Sequence, residues 1–425
     1  MKKNLSKTQM LLLGATLASL SIGIVSYGPT IINPQAVSIS ADVRASTGKW
    51  GEANWVLAND GELIFLGGNI GHPSQSLTEV LREANVDPAD VKSIEFTEIT
   101  TANEIANTFA NLPQLKKVLK LGNLSYSGSA YGMFSGDSNL EIIDLEGFDT
   151  SEITNMANMF AGIKADILDV SKFDTRNVRN MAGMFDGAIN LTNLDISKFS
   201  TDKVTDMTLM FANLTKLEQL NVSKFNTNNV ASMAGMFEGV SNLTNLDISN
   251  FNTDKVTDMA LMFAGMTKLE QLNLSNFSTN GVSITTGMFE GASNLKNLKL
   301  GLTSQLNTDM NLANVPVTDG YTGKWRNVGS GTVDNPAGEH IWTSSEFMAN
   351  FDAPTMADTY VWQKLSGSEM ELGESTDYSN DTLLSSIFPA ASIPLNPYRY
   401  KVVLNNNYQF YSKLENGQLD TENIT

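Results

Sequence analysis

Through the middle of this chain, apolar and polar positions alternate at two periods in turn. In the stretch 203–225, Val204, Met207, Phe211 and Leu214 are spaced three, four and three apart, which predicts one stripe of a short helix. Thr205 or Asp206 stands where an N-cap belongs, able to accept a bond from the first free backbone N–H groups. Leu220 and Val222 then alternate with Asn221 and Ser223, the period of a strand with one buried face. Two residues after Phe211 and its equivalents come Asn111, Gly136, Gly162, Gly187, Asn213, Gly239, Gly265 and Gly291. Only glycine and asparagine occupy that slot. Both enter the left-handed region cheaply, so the pattern predicts a helix closed at its C-cap in every copy.

The same sentence is repeated from about 109 to 300. Its pivot phenylalanines are Phe109, Phe134, Phe160, Phe185, Phe211, Phe237, Phe263 and Phe289, in steps of 25 or 26 residues. A period in this range means a solenoid, in which each copy buries its apolar side only against its neighbours. A corner follows each strand, as in Phe148-Asp-Thr150, Phe173-Asp-Thr175, Phe199-Ser-Thr201 and Phe225-Asn-Thr227. Short Asp, Asn and Ser side chains that bond to nearby backbone suit such a corner. One coil is thus a strand, a turn, a short helix and a return, and about eight coils would give a parallel sheet roughly 35–40 Å long. A longer period of 52 relates the sequence from Met184 to that from Met236, so the array reads as duplications of a two-coil unit.

The flanks differ in kind. Lys2, Lys3 and Lys7 precede an apolar run from Met10 to Val25 that Gly28-Pro29 breaks, the pattern of an export signal over 1–41. Ala36, Ala41 or Ala45 could be the cleavage point, and an uncleaved membrane anchor is the other reading, though the run is short for a span of ~20 residues. Residues 46–104 form an N-terminal capping module with a hairpin at Asn59-Asp60-Gly61 and a brief helix near Val80–Ala84. The solenoid occupies 105–300, a C-terminal capping module 301–365, and an acidic linker with a hairpin through Asn405–Asn407 fills 366–425. All five tryptophans, at 50, 55, 325, 342 and 362, lie outside the repeats. They suit the covering of open solenoid ends or, alternatively, platforms on which sugar rings stack.

Charge and composition narrow the partners. The formal charge is −18, and loss of the three lysines in 1–41 would make it −21. Such an acidic chain without a basic stripe argues against nucleic acid or an anionic membrane surface as partner. With no cysteine and two histidines, His72 and His340, thiol nucleophiles, disulfides and metal sites built on His and Cys are excluded. Neither histidine stands at triad-like spacing. No EF-hand loop or glycine-rich nonapeptide is present. No cofactor is expected.

Leu191-Thr-Asn-Leu194-Asp-Ile196 matches the leucine-rich repeat spacing L-x-x-L-x-L, with Phe199 where Asn or Cys is usual. Together with Asn155-Met-Ala-Asn-Met-Phe160 and Asn180-Met-Ala-Gly-Met-Phe185, it resembles the BspA-like leucine-rich repeat surface proteins of bacteria, whose repeats are catalogued as a domain of unknown function in mycoplasmas and lactic acid bacteria. The flanks around Gly48-Lys-Trp50 and Gly323-Lys-Trp325 look like segments that accompany such repeats in lactobacillus-type surface proteins. The resemblance implies an exported, non-catalytic protein, secreted or held at the cell surface, that adheres to host or neighbouring cells. It carries over no functional residues. The expected fold class is an α/β solenoid, a leucine-rich-repeat-like stack of about eight coils with one parallel sheet between small β-rich caps, and the expected state a monomer.

The most conspicuous polar constellation is the outward row of the expected sheet: Asp144, Asp169, Asp195, Asn221, Asp247 and Asn273, with Ser171, Ser197, Ser223, Ser249 and Ser275 beside it. Stacked ~4.8 Å apart, like charges repel, and alternating Asp with Asn eases that. The row reads either as a hydrogen-bonding strip for an extracellular glycan or protein, or as a solvated ladder that keeps the exposed face polar. Two other functions stay open: glycan cleavage by paired carboxylates, and a passive wall-layer role. The methionine rows Met181, Met207, Met233 and Met259 read as core filler.

Overall fold

The computed structural model describes residues 45–71, 75–103, 106–317 and 320–365, together with three strands of the C-terminal tail. The export signal, most of the acidic linker and His72 lie outside the described residues. Two compact units divide the chain, 1–365 and 366–425. In the second, β16 (Arg399–Leu404), β17 (Asn407–Lys413) and β18 (Leu419–Thr421) form an antiparallel sheet. No described helix is long and apolar enough to cross a membrane.

In the first unit the repeats stack as coils, but none contains the expected helix; each pivot lies in a run of turns. The backbone hydrogen bonds give the reason. Around Phe211, the N–H groups of Met207, Leu209, Phe211 and Asn213 donate to Ser232, Ala234, Met236 and Glu238 in the next coil. The N–H groups between them turn inward: Met210 donates to Met207 and Ala212 to Leu209. Alternate donors are thus spent on the neighbouring coil and are lost to a helical i→i−4 ladder. The predicted left-handed exit is real, with φ from +59° to +81° at all eight glycine and asparagine positions. A second left-handed slot lies two residues before each pivot. It is filled in turn by Asn107, Gly132, Asn158, Gly183, Leu209, Gly235, Leu261 and Gly287. Two reversals four residues apart exclude a helix.

That second slot explains the two-coil period. Residues with side chains alternate with glycine, and a Cβ built on Gly132, Gly183, Gly235 or Gly287 would run into Asn107, Asn158, Leu209 or Leu261 of the preceding coil. One coil's side chain therefore lies over its neighbour's bare backbone.

The single continuous parallel sheet is also corrected. At the N-terminal end β1 (Ser46–Trp50), β2 (Ala53–Leu57) and β3 (Glu62–Phe65) are antiparallel, and β5 (Ser93–Phe96), β7 (Lys117–Leu119) and β9 (Ile142–Ile143) continue from β3 in parallel. Beside it runs a parallel sheet of β4 (Gly68–Gly71), β6 (Thr100–Asn103), β8 (Leu124–Ser129) and β10 (Ile153–Asn155). At the C-terminal end β11 (Gln271–Leu274) and β12 (Asn297–Leu300) are parallel, then β15 (Thr359–Lys364), β13 (Tyr321–Asn327) and β14 (Ile341–Trp342) join antiparallel. Between β9 and β11 the Leu194-Asp-Ile196 type of alternation persists with its apolar residues buried, but those coils form no paired strands there. The described helices are α1 (Leu77–Glu83), α2 (Ser344–Asn350) and α3 (Ala353–Met356), all outside the repeats.

One hydrophobic core runs from Trp50 to Trp362. The pivot rings from Phe109 to Phe289 stack at 5.7–6.1 Å, and Phe65 and Phe96 extend the column at the N-terminal end. Trp50, Trp55, Trp325 and Trp362 are buried at the two ends, where they cover the terminal coils. Thr150, Thr175, Thr201, Thr227 and Thr253 are buried too. Each Oγ1 donates to a carbonyl of the next coil and accepts that same residue's N–H, as Thr201 does with Asn226 at 2.9 and 2.7 Å.

Candidate ligand-binding face

The L-x-x-L-x-L segment buries Leu194 and Ile196 and turns Asp195 outward, and the repeat sets the same choice in every coil. This places Asp169, Asp195, Asn221 and Asp247 in one exposed row, with Asp144 and Asn273 half-buried at its ends. Each makes the same local bond. Oδ1 of Asp169, Asp195, Asn221, Asp247 and Asn273 accepts the N–H of the serine two residues on at 3.0–3.1 Å. The hydroxyls of Ser171, Ser223 and Ser249 add a second bond at 2.6–2.7 Å. Asp144 makes the same bond to the Glu146 N–H and also accepts the Lys120 N–H. These bonds to serine hydroxyl and backbone hold the carboxyls of Asp169, Asp195 and Asp247 below the usual carboxylate range. The strip is therefore anionic, and its side chains are fixed in orientation by their own turns.

Asx turns of the same kind recur on another edge of the coil, where Asn155, Asn180, Asp206 and Asp258 accept from the N–H two residues on. Asp206 thus caps a turn where a helix N-cap was expected.

Three features were missed in the sequence. Two residues before the Asp/Asn row, other coils carry Asn193, Gln219, Asn245 and Gln271, but here Ile142 and Ile167 stand 46% and 76% exposed. The break in an otherwise polar column was the signal. Next to the pivots, Asp186, Glu238 and Glu290 alternate with Ala212 and Ala264; partial burial, then Asp186 and Glu290, push the carboxyl of Glu238 up. Third, Asp137 is wholly buried at a position where other coils place Ile163, Ala188, Leu214 or Val240. Its Oδ1 accepts the Leu112 N–H at 2.7 Å, and its Oδ2 has no partner among the described groups. Burial raises its pKa to about 8, against the opposing effect of that one bond.

Among the described residues no group of three or more His, Cys, Asp or Glu side chains is arranged to hold a metal ion. Trp342 is half-buried and stacks on His340 at 4.7 Å, and the four other tryptophans are sealed in the core.

Residues 128–221 and again 213–314 match the family described as "Mycoplasma protein of unknown function, DUF285". The repeat region is thus similar to this family over residues 128–314. The two matched copies of the DUF285 repeat cover the coils from Phe134 to Phe289, the ones that carry most of the polar row. A leucine-rich repeat protein from Eubacterium ventriosum is 16% identical, with 58% of this chain and 95% of that chain covered and a TM-score of 0.20. Among curated proteins no sequence matches.

Proposed function

We propose that this chain is an exported bacterial protein, secreted or held at the cell surface, that acts by binding an extracellular protein or glycan. The observation that carries the reading is the long outward row of Asp, Asn and Ser side chains, repeated coil after coil and held rigid by its Asx turns. A preorganised polar strip loses little freedom when a partner docks, so its groups are suited to recognition. The DUF285 repeats and the leucine-rich repeat pattern support a binding role in the same way. Exposure of the purified full chain to broad arrays of glycans and matrix proteins tests it. Saturable binding at micromolar concentration is expected; no ligand on any array refutes it. Fractionation of native cells into wall, membrane and medium tests the location, with the chain expected in the wall or the medium.

Glycan cleavage by paired carboxylates has less support. A general acid needs a carboxyl held protonated near neutral pH, whereas Asp169, Asp195 and Asp247 of the polar row are shifted the other way. Of the carboxyls pushed up, Asp137 is sealed in the core and Glu238 lies off that row beside the pivots. A passive wall-layer component is distinguished by ordered arrays on cells.

A further inference from the structure

We infer that Asn280-Gly281, at the last corner of the repeats, is a site of self-modification at which the Asn280 amide becomes aspartate and isoaspartate without an enzyme. The inference stands apart from the binding role proposed above. The step needs a backbone nitrogen that can reach the side-chain carbonyl before it. The Gly281 nitrogen loses its proton and attacks Cγ of Asn280, ammonia leaves, and the succinimide ring takes up water at one carbonyl or the other. The overall change is amide plus water to carboxylate plus ammonium. A glycine next in the chain favours the attack, because it has no Cβ to hinder the approach and its backbone reaches conformations other residues seldom adopt. Asn280-Gly281 is the one Asn-Gly pair among the described residues.

The corner leaves both residues free to react. Both are exposed, and neither the Gly281 N–H nor the Asn280 side chain makes a hydrogen bond among the described groups. The two described Asp-Gly pairs, able to close the same ring, differ here. The Gly61 N–H donates to the Ala58 carbonyl at 2.9 Å and the Gly187 N–H to the Ala212 carbonyl at 3.0 Å. At other corners Asp149, Asp174, Asn226 and Asn252 pin the turn by accepting the N–H two residues on. Ser278 stands in that place here, and its backbone alone bonds, to Thr253. Thr279 and Val282 are half-buried, where Thr253 and Val256 of the preceding corner are sealed. The fold does not demand the glycine. Its φ lies outside the left-handed region, a Cβ there would meet nothing nearer than the Asp254 carbonyl oxygen at 3.7 Å, and Lys203 and Lys255 occupy the same place in other coils. The product sets a negative charge where Asp202 and Asp254 stand in other coils. As isoaspartate it also adds a methylene to the main chain beside Thr279, whose hydroxyl accepts the Gln305 N–H at 2.7 Å at the join to the C-terminal cap.

The test incubates the purified full chain at neutral and mildly alkaline pH and maps residues 225–255 and 269–296 by mass spectrometry, with fragmentation that separates isoaspartate from aspartate. Asn228 is the internal control, since it holds the matching place two coils earlier with Asn229 after it. Asn280 is expected to convert at least about tenfold faster than Asn228, because only its neighbour lacks a Cβ. Its rate should rise with pH, as the attacking nitrogen must lose a proton, and isoaspartate should be the major product. Gly281→Lys restores the residue of the Lys203 and Lys255 corners, so it should keep the melting temperature and slow the conversion at least about tenfold. A synthetic peptide of residues 275–285 supplies the rate without the fold, and the folded chain should come within about tenfold of it, since the corner leaves the Gly281 nitrogen unbonded. A smaller difference from Asn228 or from Gly281→Lys, or a folded chain slower than the peptide by more than that margin, overturns the inference.

Discussion

The two sides of each coil are built on different terms. On the pivot side, four N–H groups of each coil from Phe134 to Phe263 reach the next, the rings stack at 5.7–6.1 Å, and the pivot phenylalanines are fully buried. On the Asp/Asn side, side chains bond to their own turns two residues away, and from β9 to β11 no strand pairing joins the coils. One side makes the stack and tolerates little. The other joins its coils mainly through side chains, as where Asn250 Nδ2 donates to the Ser223 carbonyl, and its Asp/Asn row bonds mainly within its own turns, so row residues can change at less cost than the pivots.

Substitutions test that division. Phe211→Ala should cost about 3–5 kcal/mol, since the cavity lies between two stacked rings; denaturant melts measure it. Asp137→Leu removes a buried carboxyl with one unpartnered oxygen but strands the buried Leu112 N–H, so at neutral pH its stability should stay within about 1 kcal/mol of the parent. The sign with pH follows from the raised pKa. The unfolded chain releases this proton near 3.8, the ordinary aspartate value, the folded chain only near 8, so this group's contribution falls as pH rises through that window. Thermal melts across it should show that decline in the parent and a shallower one in Asp137→Leu. Thr201→Val keeps shape but strands the Asn226 N–H and carbonyl, and is expected to lose about 1–2 kcal/mol while Thr201→Ser loses less. Asp195→Asn should barely move the melting temperature, because the amide oxygen can accept the Ser197 N–H as Asn221 does for Ser223. Equal melting shifts for Phe211→Ala and Asp195→Asn would erase the distinction between the sides.

Much of this was readable beforehand. The repeat, the buried pivots, the outward Asp/Asn row and the left-handed slot after the pivot all follow from residue types that recur at a fixed period. The helix was misread because a spacing of three, four and three also suits consecutive turns whose alternate donors leave the coil. A second left-handed slot was hidden by Leu209 and Leu261, at φ +55° and +56°, where leucine is an uncommon tenant. At the corners the Asp, Asn and Ser side chains were read as turn formers, whereas the threonines beside them drew no reading, yet their buried hydroxyls join successive coils, which only tertiary structure reveals. Ile142 and Ile167 escaped notice because a departure from a pattern carries no period of its own.

The overlap of each Asn or Leu with the following bare glycine sets a rule for inheritance. A lineage that gained or dropped one coil would put leucine against leucine, or leave glycine facing glycine, at the splice. Gain or loss by two keeps the phase. The array is in effect written in a two-letter alphabet that recombination can edit only in whole words, and the 52-residue echo in the sequence is the trace of that grammar.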